Sequence, residues 1–111
     1  MPEKSRHKHY KRKDARRTGE TEYPLDSGGR LDVLTATDIA VEIERSGKLG
    51  IKKSVSSLRE ALDTGIARKV RLRVPQDDLD FAYDEMRRQR VGGELTNLSG
   101  TYKTRVPKRR K

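Results

Sequence analysis

Three acidic side chains in this chain alternate with apolar ones in a way that could place carboxylates around a cation. Asp32 lies between Leu31 and Val33, and Glu42 and Glu44 flank Ile43 just after Val41. Alternation with a period of two marks a strand that buries one face. Residues 30–34 and 39–44 therefore read as a β-hairpin around the break Ala36-Thr37-Asp38. If residues 36–38 form the loop, paired positions sum to 74, which sets Asp32 opposite Glu42. Facing side chains in such a pair lie about 5 Å apart, and two like charges there repel. A bridging cation or a bound proton relieves the repulsion. Hard divalent ions such as Mg²⁺ take one or two carboxylates, with water and substrate phosphate completing the shell. The ordinary alternative is a solvated strand face, in which Arg30 would stand opposite Glu44 as a surface ion pair of little energetic weight.

The elements that must position these acids follow from the apolar spacing. Thr21 to Leu25 reads as a short strand before the Asp26-Ser27-Gly28-Gly29 turn. Ile51, Val55, Leu58 and Leu62, at spacings of four, three and four, predict an amphipathic helix closed by Gly65. Val70, Leu72 and Val74 alternate with Lys69, Arg71 and Arg73 and predict a strand stopped by Pro75. Asp77 and Asp78 suit the start of a second helix, with Leu79, Tyr83 and Met86 on its apolar stripe and Gly92-Gly93 beyond its end. Residues 94–106 could add one or two strands. The order predicts an α/β (α+β) layer fold containing a βαβ unit: a small mixed sheet with flanking helices.

Arg30-Leu31-Asp32-Val33-Leu34, a short break, and Ala40-Val41-Glu42-Ile43-Glu44, followed by a helix and a strand, resemble the PD-(D/E)xK nuclease superfamily, which includes restriction endonucleases and Holliday junction resolvases. The resemblance covers roughly residues 20–75. It implies a restriction-endonuclease-like core in which a hairpin delivers an Asp and an acidic-x-Lys motif to one Mg²⁺ (or Mn²⁺) site. Here Glu44 holds the usual Lys position, an acidic-x-acidic variant that some members share, while in others the Lys has moved to the following helix. Lys52, which flanks the apolar stripe, is then the candidate, with Lys48 next; Lys53 points about 200° from Ile51. The implied reaction is metal-assisted phosphodiester hydrolysis of DNA, at a junction or flap, or of RNA. Asp32 and Glu42 would hold the metal, Glu44 or Lys52 would orient the water or accept its proton, and Arg71 or Arg73 would hold the flanking backbone. Glu20 or Glu22 could complete the metal shell.

Charge points to the same class of partner. Of 111 residues, 40% are charged and 31% hydrophobic, and the formal net charge is +10. Residues 1–17 carry a net +6 and residues 103–111 another +6, so the positive charge resides at the two ends. The expected organisation is a basic arm over 1–18, one α/β domain over 19–102 and a basic tail over 103–111. Such arms attract a polyanion by releasing its counterions, and nucleic acid is the commonest. The cations expected to meet it are Arg6, Lys8, Lys11, Arg12, Lys13, Arg16 and Arg17 in the arm, Arg71 and Arg73 in the domain, and Lys108, Arg109, Arg110 and Lys111 in the tail. Without turnover the chain would be a ribosome-associated, chromatin or plasmid-maintenance factor; a protein-interaction module ordered on an acidic partner is a third possibility.

No apolar run is long enough to span a membrane and no secretory signal pattern opens the chain, so a cytoplasmic protein with no membrane partner is expected. The absence of Cys excludes disulfides and thiolate metal sites. Ser46-Gly47-Lys48 matches the end of a phosphate-binding loop, but Glu42 stands where that loop needs Gly. His7 and His9 belong to the basic arm, where Tyr10, like Tyr102 near the tail, could stack on bases. A chain this small has little surface with which to hold a duplex alone, and a homodimer is expected.

Overall fold

The computed structural model describes residues 20–108. Its elements, in chain order, are β1 (Glu20–Pro24), β2 (Arg30–Leu34), β3 (Ile39–Ile43), α1 (Lys48–Asp63), β4 (Lys69–Val74), a single 3-10 turn (Gln76–Asp78), α2 (Leu79–Arg88), β5 (Gly93–Asn97) and β6 (Lys103–Val106). The six strands form one mixed sheet in sequential order, β1-β2-β3-β4-β5-β6. The first three make an antiparallel meander, β3, β4 and β5 run parallel, and β6 returns antiparallel.

Local chemistry sets the corners. Between β1 and β2, Gly28 takes φ +94, and Leu25 exchanges backbone hydrogen bonds with Gly28 and Gly29. Between β2 and β3, Thr35 closes the turn twice, its N–H donating to the Ile39 carbonyl and its hydroxyl accepting from the Ile39 N–H. The resulting register pairs Val33 with Val41 and Leu34 with Ala40, the sum-to-74 alignment expected from the sequence. Pro75 ends β4 because it brings no N–H to a ladder.

Both parallel connections step one strand in the same direction, which for right-handed crossovers lays both helices on one face. A single core joins that face to the helices: Ala40, Val70, Leu72, Val74 and Leu95 from the sheet pack with Ile51, Val55 and Leu58 of α1 and Leu79, Ala82 and Met86 of α2. The other sheet face carries a smaller cluster of Val33, Val41 and Ile43.

The one or two strands expected over 94–106 are β5 and the edge strand β6, and the domain edge drawn at 103 moves out to include Val106, which is buried and pairs with Gly93, while Lys103 and Arg105 are exposed. The second helix buries Leu79, Ala82, Glu85 and Met86, with Tyr83 only half-buried at the flank of its stripe. The basic arm at 1–18, with His7, His9 and Tyr10, lies outside the described residues. Among the described residues no helix is long and apolar enough to cross a membrane.

Leu72, fully buried at the centre of the sheet, is the sharpest probe of this core. Leu72→Ala is expected to cost about 2–5 kcal/mol, read as a fall in the urea midpoint. Leu49→Ala, at a residue 77% exposed on α1, should stay within about 0.5 kcal/mol of wild type.

Candidate functional site

Backbone pairing between β2 and β3 is recorded at Val33 and Leu34, and beyond Val33 the two acids take over. The Asp32 N–H donates to Glu42 Oε2 at 2.8 Å, and the Ile43 N–H donates to Asp32 Oδ2 at 2.7 Å. Each carboxylate thus replaces a carbonyl as the acceptor for the facing strand. Leu31 joins the larger core and Val33 the smaller one, so the exchange sits where β2 passes between the two clusters.

Glu42 is 5% exposed, and its side chain also hydrogen-bonds that of Asp32. Two carboxyl groups can share a hydrogen bond only if one holds a proton. Burial raises the Glu42 pKa well above the ordinary carboxylate range, and the charges of Asp32 and Glu44 push in the same direction.

Glu44 follows on the same side as Glu42 and meets the start of α1. Its Oε1 accepts from the Ser46 N–H at 2.7 Å and from the Ser46 hydroxyl, and its Oε2 accepts from the Ser54 hydroxyl at 3.3 Å. The seat exists because residue 50 is glycine: a Cβ there would come within 2.4 Å of Glu44 Cδ. No acidic residue lies within the first turn of α1, so the Glu44 carboxylate brings negative charge to the positive end of the helix dipole.

The structure brings Asp32 and Glu42 together, sets Glu44 next along the strand at the head of α1, and turns the two candidate lysines elsewhere. Lys52 turns towards α2, where its charge acts on Glu85 and its carbonyl accepts from Gln89 Nε2 at 3.2 Å. Lys48 sets its ammonium 5.4 Å from the centre of the Phe81 ring. The reason is ridge packing at i, i+4 spacing. Lys48, Lys52 and Ser56 of α1 face Phe81, Glu85 and Gln89 of α2, with Ser56 Oγ donating to Gln89 Oε1 at 3.0 Å. The residue of α1 that does reach the acids is Ser54, 6% exposed and three positions after Ile51 on the buried stripe. A polar residue at a stripe position was the available signal for it.

Arg71 and Arg73 pair in register with Val41 and Ile43, on the face opposite Glu42, whose partner is Leu72 beneath the helices. Arg71 binds Glu94 at 2.7 Å, and Arg73 is 6% exposed. Arg30 pairs with Pro24 of β1, and Glu44 is engaged by serines, so the Arg30–Glu44 ion pair does not form. Glu20 and Glu22 are exposed on the edge strand β1. Lys108 is exposed; the arm cations Arg6, Lys8, Lys11, Arg12, Lys13, Arg16 and Arg17 and the tail cations Arg109, Arg110 and Lys111 lie outside the described residues.

As a donor set, Asp32 and Glu42 are hard oxygen ligands, each with one oxygen accepting a backbone N–H. That suits Mg²⁺ or Mn²⁺ held by two carboxylates with water and phosphate. Among the described residues no group of three or more His, Cys, Asp or Glu side chains is gathered to hold a metal ion, so the protein would supply a partial shell. No family model, curated protein or solved structure matches this chain.

The raised Glu42 pKa makes stability pH-dependent. The folded protein binds a proton that the unfolded chain releases in the ordinary carboxylate range, so the contribution is full below that range and is lost as pH rises through the raised value. Glu42→Gln retains an acceptor for the Asp32 N–H and cannot titrate. Thermal melts across pH 4–9 should show wild type losing stability with rising pH through that window and the variant losing less.

Proposed function

We propose that this protein binds nucleic acid and hydrolyses its phosphodiester bonds with a divalent cation at Asp32 and Glu42. The observation that carries the reading is the exchange between the two acids, which puts two carboxyl groups in one buried place at the cost of a bound proton. Such a pair is stable as a neutral–charged couple or as two carboxylates around a cation. The order of a hairpin, a helix and a parallel strand around it is the order that the PD-(D/E)xK resemblance implies. The basic ends supply the attraction to a polyanion.

Asp32 and Glu42 would hold Mg²⁺ or Mn²⁺ in place of the proton on Glu42, and Asp32 is kept in place by the Ile43 N–H. When bound, such an ion polarises a phosphate and acidifies water. Glu44 is the residue positioned to take a proton from an attacking water, because Ser46 and Ser54 fix its carboxylate at the head of α1. Burial beneath the helix removes competing water from Glu42. Lys52 lies at the α1–α2 seam, where its charge acts on Glu85.

A non-catalytic nucleic-acid-binding protein is the second reading, favoured by one observation: the charges acting on Glu42 come from Asp32 and Glu44, both acidic, with no lysine among them.

Two measurements separate the readings. With Mg²⁺ or Mn²⁺ the protein should cut branched or single-stranded nucleic acid, and Asp32→Asn, which preserves the acceptor for Ile43, should abolish cutting and leave binding intact. Millimolar Mn²⁺ should raise the melting temperature of wild type at pH 8 and leave that of Asp32→Asn unchanged, whether or not a substrate has been found. Binding without turnover, together with a melting temperature indifferent to Mn²⁺, would overturn the hydrolytic reading and leave the second.

A further inference from the structure

Across the sheet, residues Glu20, Leu34, Ala40 and Val70 are paired in one row, which continues through Gly93 to its partner Val106. The step from Val70 to Gly93 is fixed by the neighbouring pair Arg71–Glu94, and by the 2.5 Å that would separate a Cβ on Gly93 from Val70 Cγ2. The first described residue, Glu20, is thus in the same row as Val106, two positions before the last described residue, Lys108. The points where the two basic segments join the domain therefore lie at the same end of the sheet, on opposite edges. Five strand spacings of about 4.8 Å put them roughly 24 Å apart.

Between them, on the face away from the helices, lies a cleft of about 250 Å³ lined by Ile39, Arg68, Lys69, Arg71, Glu94 and Arg105. Four cations meet one acid there. Arg71 is paired with Glu94, and Arg68 Nε donates to the Thr37 carbonyl, which fixes two of the guanidinium groups. Lys69 and Arg105 are exposed. Gly92 forms part of the floor, and the Lys108 backbone passes so close that a Cβ on Gly92 would lie 2.7 Å from the Lys108 nitrogen. The cleft is thus continuous with the start of the run Lys108-Arg109-Arg110-Lys111.

We infer that this cleft seats a phosphate of the nucleic-acid backbone, so that the polyanion crosses the sheet at the end where both basic segments attach. The inference rests on the nucleic-acid reading above and is independent of turnover. Lys69 and Arg105 contribute a phosphate contact each, while Arg68 and Arg71, fixed by their partners, contribute field. Asp32 and Glu42 lie farther along the strands, with Glu42 on the opposite face, so binding at the cleft and chemistry at the acids separate by mutation.

The test uses the full chain and a fluorescent oligonucleotide duplex, with affinity measured by anisotropy across a salt series. Lys69→Gln with Arg105→Gln removes two exposed cations of the cleft, and Lys53→Gln with Arg59→Gln removes two from the outer side of α1; melting curves check that both variants fold. The cleft variant should bind at least tenfold more weakly at about 0.1 M salt, with a slope of log affinity against log salt smaller by about two, and the α1 variant should retain the wild-type slope. An unchanged slope in the cleft variant, or an equal loss in both variants, overturns the cleft as the phosphate seat while nucleic-acid binding stands. Failure of wild type to bind any duplex or single strand removes the nucleic-acid reading itself, and the inference with it.

Discussion

The meander of this protein is held by an exchange that strands ordinarily avoid. Where β2 and β3 would place two carboxylates side by side, each side chain turns to accept the backbone N–H of the facing strand. The facing strands keep two backbone N–H groups satisfied, and burial together with the charges of Asp32 and Glu44 favours a proton on Glu42. Around the exchange, Leu31 and Val33 belong to two different cores, and Glu44, just beyond β3, meets α1 through Ser54.

Helix α1 does the remaining positioning. Its buried stripe fixes it to the sheet, which leaves one flank for Glu44 and the other for α2. The lysines at 48 and 52 fall on the α2 flank, and the serine at 54 falls within the stripe. Glu44 is consequently met by the hydroxyls of Ser46 and Ser54.

Periodicity and turn chemistry made much of this legible in the sequence. The hairpin register could be read because a short loop and a period of two leave little choice, and that register sufficed to bring Asp32 and Glu42 together. Helix α1 could be read from its spacing, and β4 from alternation stopped by a proline. Three things could not be read in the same way. Which lysine faces the acids depends on where α2 packs, which is a tertiary fact that a helical wheel drawn on one helix does not contain. That β6 takes in the first residues of the basic segment follows from its pairing with β5, which composition does not contain. The common row of Glu20 and Val106 depends on sheet order, and local pattern carries no information on which distant strands are neighbours. Arg71 and Arg73 were legible as strand residues, but the face they occupy follows only from the parallel pairing with β3.

Gly50 shows how a weak local choice supports a distant one. Glycine inside a helix costs roughly 1 kcal/mol relative to alanine, and a stabilisation programme guided by propensity would replace it first. In this fold the missing methyl group is the space that the Glu44 carboxylate occupies. The position joins two demands that pull apart: the alanine that would strengthen the helix in isolation obliges the Glu44 carboxylate and the Ser46 hydroxyl to move aside.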